Sequence, residues 1–483
     1  MQEAPRESWA QVLGEGRWAL FLLVLGGIWL HAADSLVVAT VMPAVVADLG
    51  GIAWTPWAFA LYELGSIIAG AMGGLASLRL GVGRALGGFA ALFALGCLAS
   101  ALAPSMGLFL GGRLLQGLGG GALLALSHVA VTKSFQERHW KGLFALISAV
   151  WGLASLAGPL IGGLFSDAGW WRGAFYVFAV KGTLVALAAP WLLARVSKKG
   201  GMVGQVGVPW GSLGLLTLGV LAIALAGVVH NLVLGLPLVL VGILLLAAML
   251  RVDSFQTSAL LPHGALAKPG PARDGLIMVI ALSMATIGFL IYGPLLLAEL
   301  HGISALTGGY IVAMESVAWT IAAMAVGRVK PAGEGFYLRL GAFVILTGLI
   351  GIAIFLPEGP LWALLPFVAC QGAGFGLAFA FIIRRVVTAA PEQERDHAAG
   401  AVATAQMLGY ALGAALAGIA ANSVGLASGA ARDDLAAGVP IIFLAFVPWA
   451  IIGVCGARRL AAAPAGGTTG GGVSGGGTGL ANS

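Results

Sequence analysis

The feature that most constrains this chain is a series of fourteen apolar runs, each about as long as a membrane-spanning helix. The hydrocarbon core of a bilayer is about 30 Å thick, and an α-helix needs about 20 apolar residues to cross it. The sequence therefore predicts fourteen transmembrane helices. The predicted spans are 18–47, 54–76, 84–103, 106–132, 142–165, 171–194, 210–229, 232–250, 274–297, 304–327, 336–356, 360–383, 397–421 and 437–457.

The composition excludes a soluble protein. Only 9% of the residues are charged, whereas a typical soluble domain has about 25%. The 76 glycines fit helices that approach one another closely in lipid, and the 14 tryptophans fit the membrane interfaces. Cys97, Cys370 and Cys455 lie far apart in apolar segments, so their spacing indicates neither a metal site nor a disulfide framework. We therefore predict no metal.

The basic residues predict the orientation of the chain. If the N-terminus is cytoplasmic, 21 of the 25 Lys and Arg fall in inner segments, and only Arg172 and Arg432 fall in outer ones. Such an excess of basic residues is typical of cytoplasmic loops. It accounts for the net charge of +6 without a nucleic-acid partner. With an even number of spans, both termini are expected in the cytoplasm, and we expect the membrane to be a bacterial inner membrane.

An internal repeat divides the chain into two halves. Gln116–Gly121 in the fourth span is repeated as Gln371–Gly376 in the twelfth, if the almost uncharged spans seven and eight are set aside. We expect those two spans to pack on the rim without lining a central cavity. The predicted organisation is a cytoplasmic N-terminus (1–17), a six-helix bundle (18–195), a linker with two extra spans (196–251), a cytoplasmic loop (252–273), a second six-helix bundle (274–457) and a disordered Gly-rich tail (458–483).

Several motifs fall in order along the first half. The first span has Asp34 followed nine residues later by Pro43, and the fourth has Arg113-Leu-Leu-Gln-Gly117. The fifth span has Gly158-Pro159-Leu-Ile-Gly162-Gly163, and Trp171-Arg172 follows it. Together these motifs resemble the fourteen-span drug:proton antiporter branch of the major facilitator superfamily. The resemblance implies an all-α membrane fold of two six-helix bundles plus two additional helices.

The loop after the second span departs from the family pattern. The superfamily usually has an Asp before the basic residues of this loop, but here Ser77 stands at that position. Gly81 and Arg84 match the end of the pattern, after one extra residue. The resemblance therefore implies a conformational role for this loop with an altered charge pattern. It implies the same kind of role for a set of small residues and one proline in the helices: Gly117, Gly158, Pro159, Gly162 and Gly163.

Two ionisable residues within spans match positions that the family uses to move protons. An ionisable group inside a bilayer is costly and therefore a functional candidate. The resemblance implies that Asp34 and Arg113 form the proton-coupling site. His31 lies three residues before Asp34 on the same helix face, and a His beside an Asp can exchange a proton near neutral pH. The alternatives are a packed core histidine for His31 and structural pairing for Asp34 and Arg113.

Three further charges are predicted at one depth. Glu63, Lys181 and Glu315 lie about 14–16 Å from the outer ends of their helices, near the midplane where transporters bind substrate. Together with Gln116 and Tyr62 they are our candidates for the substrate cavity. The two acids could instead be protonated packing residues, and Lys181 could pair between helices outside the cavity.

These observations predict proton-coupled export of a small hydrophobic or amphiphilic compound by alternating access. The expected protein is a monomer in contact with membrane lipid, with the proton as coupling ion and no cofactor. A lipid or organic-anion transporter of the same fold, favoured by Lys181 and by the altered loop after the second span, is the alternative, and a receptor or channel is a rival from another class. No catalytic cluster and no nucleotide-binding loop is found in the sequence, so we predict no enzymatic activity.

The topology is tested by cysteines introduced at Gly50, Lys198 and Glu358. Positions 50 and 358 are expected to react with an impermeant thiol reagent from outside sealed cells, because they lie in predicted outer loops. Position 198 is expected to stay unlabelled. Labelling at position 198 would show that the span count is wrong.

Overall fold

The computed structural model describes residues 17–135, 137–194, 207–229, 232–256, 259–261, 269–426 and 432–462, and within them it is helical with no strand. The predicted N-terminus, the test position Lys198 and the predicted tail beyond residue 462 lie outside these ranges. The helices are α1 Arg17–Leu49, α2 Thr55–Leu80, α3 Val82–Ala101, α4 Met106–Ser134, α5 Glu137–Asp167, α6 Arg172–Leu192, α7 Trp210–Ala226, α8 Leu232–Asp253, α9 Pro271–His301, α10 Ala305–Val326, α11 Glu334–Phe355, α12 Leu361–Ala389, α13 Arg395–Ser423, α14 Arg432–Leu444 and α15 Val447–Ala462.

The predicted all-α membrane fold is confirmed. Each of the fourteen predicted spans overlaps one helix, except that the last is built from α14 and α15, which a two-residue break separates. Thirteen of these segments in the described part of the chain are long and apolar enough to cross a membrane. The remaining helix, α7, is apolar and has 17 residues, at the lower limit of the range of about 17–25 residues that spans a bilayer. The protein is therefore an integral membrane protein.

The first half is held together by glycines of α4 that meet the backbone of α2. A Cβ atom at Gly117 would collide with the carbonyl oxygen of Tyr62, and one at Gly121 would collide with the carbonyl oxygen of Ser66, one turn further along both helices. From the other side, a Cβ at Gly65 would lie 2.7 Å from the carbonyl oxygen of Leu114. Glycine allows this backbone-to-backbone contact because any side chain would fill the gap.

The second half repeats this contact. A Cβ at Gly372 of α12 would collide with the carbonyl oxygen of Glu315 in α10, and one at Gly376 would collide with that of Trp319. The four-residue step is the same as in the first half, so the position of Glu315 in the second half corresponds to that of Tyr62 in the first. The repeated glycine-rich motif is thus a repeated helix-packing contact.

The two halves meet along α2–α13 and α5–α10, and α1 also contacts α9 and α10. We call the end with the loops 50–54, 168–171 and 302–304 the outer end, following the predicted topology. There the carboxylate of Asp167, at the end of α5, accepts hydrogen bonds from the backbone N–H groups of Ala305 (3.0 Å) and Leu306 (3.4 Å). These groups form the first turn of α10, whose partial positive charge stabilises a carboxylate. At the other junction, Cγ of Pro56 in α2 is 3.4 Å from a Cβ placed at Gly418 of α13. With both junctions in contact, the structure is closed at its outer end.

The pair α7–α8 lies against the junction of the two halves. The helices pack against each other, and α7 also contacts α13 and α2. An apolar cluster joins Leu64 and Ile67 of α2 to Leu216 of α7 and Leu408 of α13. Most of the outward surface of α8 is exposed apolar side chains, as expected for a helix that faces lipid. The pair thus covers one side of the junction at the rim of the molecule.

Replacing Asp167 is expected to open the outer end. The Asp167→Ala variant loses the acceptor for the first turn of α10, a contact of about 0.3–1 kcal/mol, so the ratio of outer-open to outer-closed molecules should rise about two- to fivefold. Spin-label distance measurements between Gly107 and Glu358, one in each half, report the change. The matched control is Asp48→Ala, because Asp48 pairs with Arg172 inside the first half. An unchanged distance distribution in Asp167→Ala would contradict the assignment.

Candidate functional site

A buried ion pair joins α1 to α4 in the first half. Nη1 of Arg113 lies 2.7 Å from Oδ2 of Asp34, and the residues are 0% and 2% exposed. Removing two charges from water is costly, and such a pair is tolerated only when further hydrogen bonds complete it. Arg113 also donates from Nε to the carbonyl oxygen of Ala58 (3.0 Å) and from Nη1 to Oε1 of Gln116. The structure thus brings together the predicted coupling residues Asp34 and Arg113.

One donor of this network has no partner. Nη2 of Arg113 is buried and makes no hydrogen bond in the structure. Gln116, by contrast, is held on its other side, because its Nε2 donates to Oγ of Ser100 (3.4 Å). A buried donor without a partner is costly. The site therefore has the capacity to bind one more acceptor, such as water, at Arg113.

Tyr62 connects the ion pair to His31. The guanidinium carbon of Arg113 lies 4.6 Å from the centre of the Tyr62 ring, and a hydrogen bond of 2.9 Å joins the Tyr62 hydroxyl to Nδ1 of His31. Trp151 of α5 packs edge-on against His31, with 5.9 Å between ring centres. Tyr62 therefore contacts both His31, through its hydroxyl, and Arg113, through its ring.

Glu63 and Glu315 come from opposite halves and share a neighbour. Both side chains are half-buried, and Tyr410 of α13 is within electrostatic range of both carboxyl groups. Glu63 is also within electrostatic range of Arg113 and Asp34. Both predicted cavity acids also lie on helices that meet the opposite half, because α2 contacts α13 and α10 contacts α5. The sequence alone did not identify Tyr410, which accepts a hydrogen bond of 3.2 Å from Nε2 of Gln406, one turn away on the same helix.

Two acceptors in the second half have no partner. Oε1 of Glu315 and Oε1 of Gln371 are both buried without a hydrogen bond. Gln371 corresponds in the repeat to Gln116, whose Oε1 is bonded to Arg113. The residue that corresponds to Arg113 is Val368, four positions before Gly372, so no guanidinium stands at the position from which Arg113 bonds Gln116. The two halves are alike in packing and different in charge.

Lys181 lies apart from these residues. Its Nζ is 3.3 Å from the centre of the Trp29 ring, a cation–π contact between α6 and α1. Trp29 in turn stacks on Phe178, with 5.2 Å between ring centres. Helix α6 packs against α1, α3 and α5, all in the first half. A role for Lys181 in a substrate cavity stays a prediction, and its observed contact is with Trp29.

The other motif residues lie at helix contacts. A Cβ at Gly158 would lie 2.8 Å from Cβ of Leu36, and one at Gly162 would lie 3.0 Å from Cβ of Thr40, so α5 packs closely on α1. One at Gly163 would lie 2.7 Å from Cβ of Leu306, across the junction of the halves. The neighbouring Pro159 is inside α5 and lines the same junction, 3.0 Å from a Cβ placed at Gly309 of α10.

The loop after α2 is a single residue. Gly81 has φ 81°, which favours glycine, and joins α2 directly to α3. Ser77 donates to the carbonyl oxygen of Gly74 in its own helix (2.8 Å), and Arg84 is exposed. The corresponding end of the second half holds a buried acid that the sequence analysis missed: Glu334 of α11 is 1% exposed and pairs with Arg384 and, at 3.1 Å, with Arg385.

Membrane-spanning helices in two repeated halves, with ionisable residues buried among them, are the architecture of a membrane transporter. The sequence matches the profile of the Major Facilitator Superfamily over residues 24–414. The chain belongs to this superfamily and is therefore a transporter of small molecules.

Proteins similar to this chain are transporters too. Two Mycobacterium tuberculosis proteins, each named "Probable multidrug-efflux transporter", are 30% identical to it over 92% of this chain and 95% of their own. An Escherichia coli protein named "Uncharacterized transporter YebQ" is 25% identical over 85% of this chain and 90% of its own. Among solved structures, a peptide transporter POT in complex with sulfate has a TM-score of 0.65 at 15% identity and covers 94% of this chain and 99% of its own. The xylose transporter XylE from E. coli has a TM-score of 0.56 at 15% identity and covers 91% of this chain and 97% of its own.

The ion pair is tested by removing one partner and then both. Arg113→Met leaves the carboxyl group of Asp34 buried without its partner, which should destabilise the protein by about 3–5 kcal/mol. The double variant Asp34→Asn with Arg113→Met should recover a large part of this loss because it leaves no unpaired charge. Thermal unfolding in detergent measures both. A double variant less stable than the single one would contradict this account of the pair.

Proposed function

We propose that this transporter exports small hydrophobic or amphiphilic compounds in exchange for protons. The observation that supports the proposal is the buried Asp34–Arg113 pair. The negative charge of the Asp34 carboxylate is balanced by a single neighbouring guanidinium. A proton and that guanidinium compete for the same carboxylate. Proton binding to Asp34 removes the negative charge that holds Arg113, and proton release restores it.

Competition between the proton and Arg113 for Asp34 couples proton binding to the conformation of the protein if the ion pair forms in only one of two states, outer-closed or outer-open. The structure is closed at the outer end, and the ion pair is formed. We infer that protonation of Asp34 favours the outer-open state, in which the pair is broken. Arg113 is bonded to Ala58 of α2 as well as to Asp34 of α1, so a movement of Arg113 would be transmitted from α4 to both neighbouring helices.

The substrate class follows from the region between the halves. The half-buried acids Glu63 and Glu315 lie there among apolar helices, and Oε1 of Glu315 has no hydrogen-bond partner. Acceptors in an apolar wall favour a compound that carries a hydrogen-bond donor or a positive charge. The relatives named as multidrug-efflux transporters support the same class. The alternative of lipid or organic-anion transport is favoured by Lys181 and by the altered loop after α2, and the ammonium group of Lys181 contacts Trp29 in the first half.

Transport in proteoliposomes tests the proposal. Asp34→Asn keeps the size of the side chain and cannot release a proton, so transport driven by a pH gradient should be lost. Binding of a fluorescent cationic dye should stay within about tenfold, or about 1.4 kcal/mol, of the original protein. The control Asp48→Asn changes an acid at the outer end that pairs with Arg172, and it should transport normally. Full gradient-driven transport by Asp34→Asn would move the coupling site to Glu63 or Glu315.

A further inference from the structure

An apolar cavity of about 180 Å³ lies between the α7–α8 pair and helices α9 and α13. Its wall includes Leu216, Leu246, Met249, Ile280, Leu408 and Leu412, and Thr404 is the one polar residue among those that line it. A cavity needs two or more polar partners to hold a water molecule, whereas apolar cavities of roughly 150 Å³ stay dry and accept apolar molecules. The cavity therefore suits a hydrocarbon group.

The depth of the cavity is defined by the helix ends. Met249 and Leu250 lie at the end of α8, and Leu276 lies near the start of α9, so the cavity is at the end of the bundle that the basic residues predict to be cytoplasmic. Leu250, which is 39% exposed, also contributes to the lipid-facing surface of α8. The cavity is thus at the depth of the inner leaflet and beside lipid.

A fixed segment covers the cytoplasmic end of the cavity. The carboxylate of Asp253 accepts hydrogen bonds from the backbone N–H groups of Leu260 (2.8 Å) and Leu261 (3.0 Å), and both leucines line the cavity. A ring nitrogen of His397, at the start of α13, is bonded to the carbonyl oxygen of Ala259 (2.8 Å). An occupant would therefore enter from the membrane side.

One basic residue flanks the cavity at the predicted membrane surface. Arg273 lies on the same face of α9 as the lining residues Leu276 and Ile280, three and seven positions away. Within the described residues, Arg273 forms no ion pair and no hydrogen bond. Its guanidinium is therefore available to an anionic group at the surface.

We propose that this cavity binds one acyl chain of an anionic phospholipid of the inner leaflet, with the phosphate at Arg273. The hydrocarbon fits the apolar wall, and the unpaired guanidinium group at the matching depth selects a negative headgroup over a neutral one. Leu408 and Leu216 belong to the same apolar cluster as Leu64 of α2. The lipid would therefore stabilise the place where the α7–α8 pair joins both halves. This inference rests on the predicted orientation and is independent of the transported substrate.

Photolabelling of the full chain in nanodiscs tests the proposal. The probe is phosphatidylglycerol with a diazirine in one acyl chain, diluted into phosphatidylcholine, and the labelled residues are mapped by mass spectrometry. We expect labels on lining residues of α8 and α13. Arg273→Ala should reduce this labelling about fivefold, the equivalent of about 1 kcal/mol for one basic residue at an anionic surface. The control Arg328→Ala, an exposed arginine at the same end of the molecule, should not reduce it.

A second variant tests the cavity itself. Ala405→Leu adds carbon atoms at a lining position and should reduce labelling without changing Arg273. Equal labelling by the phosphatidylcholine analogue, or labels confined to lipid-facing residues such as Leu240 and Leu244, would overturn the proposal. The proposal would also be overturned if a fluorescent dye substrate reduced the labelling and unlabelled phosphatidylglycerol did not. That result would show that the cavity binds the transported substrate. Because labelling needs no pH gradient, these results are independent of the transport experiment.

Discussion

The arrangement of the first half depends on one buried ion pair between Asp34 and Arg113. A guanidinium at 0% exposure is stable only because three acceptors from different helices meet it: the Asp34 carboxylate, the Ala58 carbonyl and the Gln116 amide oxygen. The close approach of α2 and α4 at Gly117 brings Tyr62 over the same guanidinium. The glycine contacts thus hold the Ala58 carbonyl and the Tyr62 ring of α2 against the guanidinium, while the Asp34 carboxylate meets it from α1.

The second half has the same glycine contacts without the ion pair. Gly372 packs on Glu315 as Gly117 packs on Tyr62, but Val368 stands where Arg113 does in the first half. As a result Glu315 and Gln371 keep buried oxygen atoms without partners. The two halves therefore share the same helix packing, whereas their buried charged residues differ. In our proposal the first half binds the proton, and Glu315 of the second half contributes to the substrate site.

The sequence was sufficient to predict the helices, the repeat and the meeting of Asp34 with Arg113. Span length follows from bilayer thickness, and the pair followed from matching motifs on α1 and α4. Other contacts between helices could not be predicted, because no sequence motif defines how these helices are rotated relative to one another. The Tyr62–His31 hydrogen bond, the Lys181–Trp29 contact and the position of Tyr410 depend on that rotation. The same reason explains why Glu334, near the start of α11, was not recognised as a buried partner of Arg385.

In the proposed mechanism, a proton on Asp34 releases Arg113 and so opens the outer end. Spin-label distances between Gly107 and Glu358, recorded as a function of pH in lipid nanodiscs, measure this coupling. We expect acid pH to raise the outer-open population of the original protein, and we expect Asp34→Asn to show the same distances at every pH. A complete pH response in Asp34→Asn would show that another group controls the outer end.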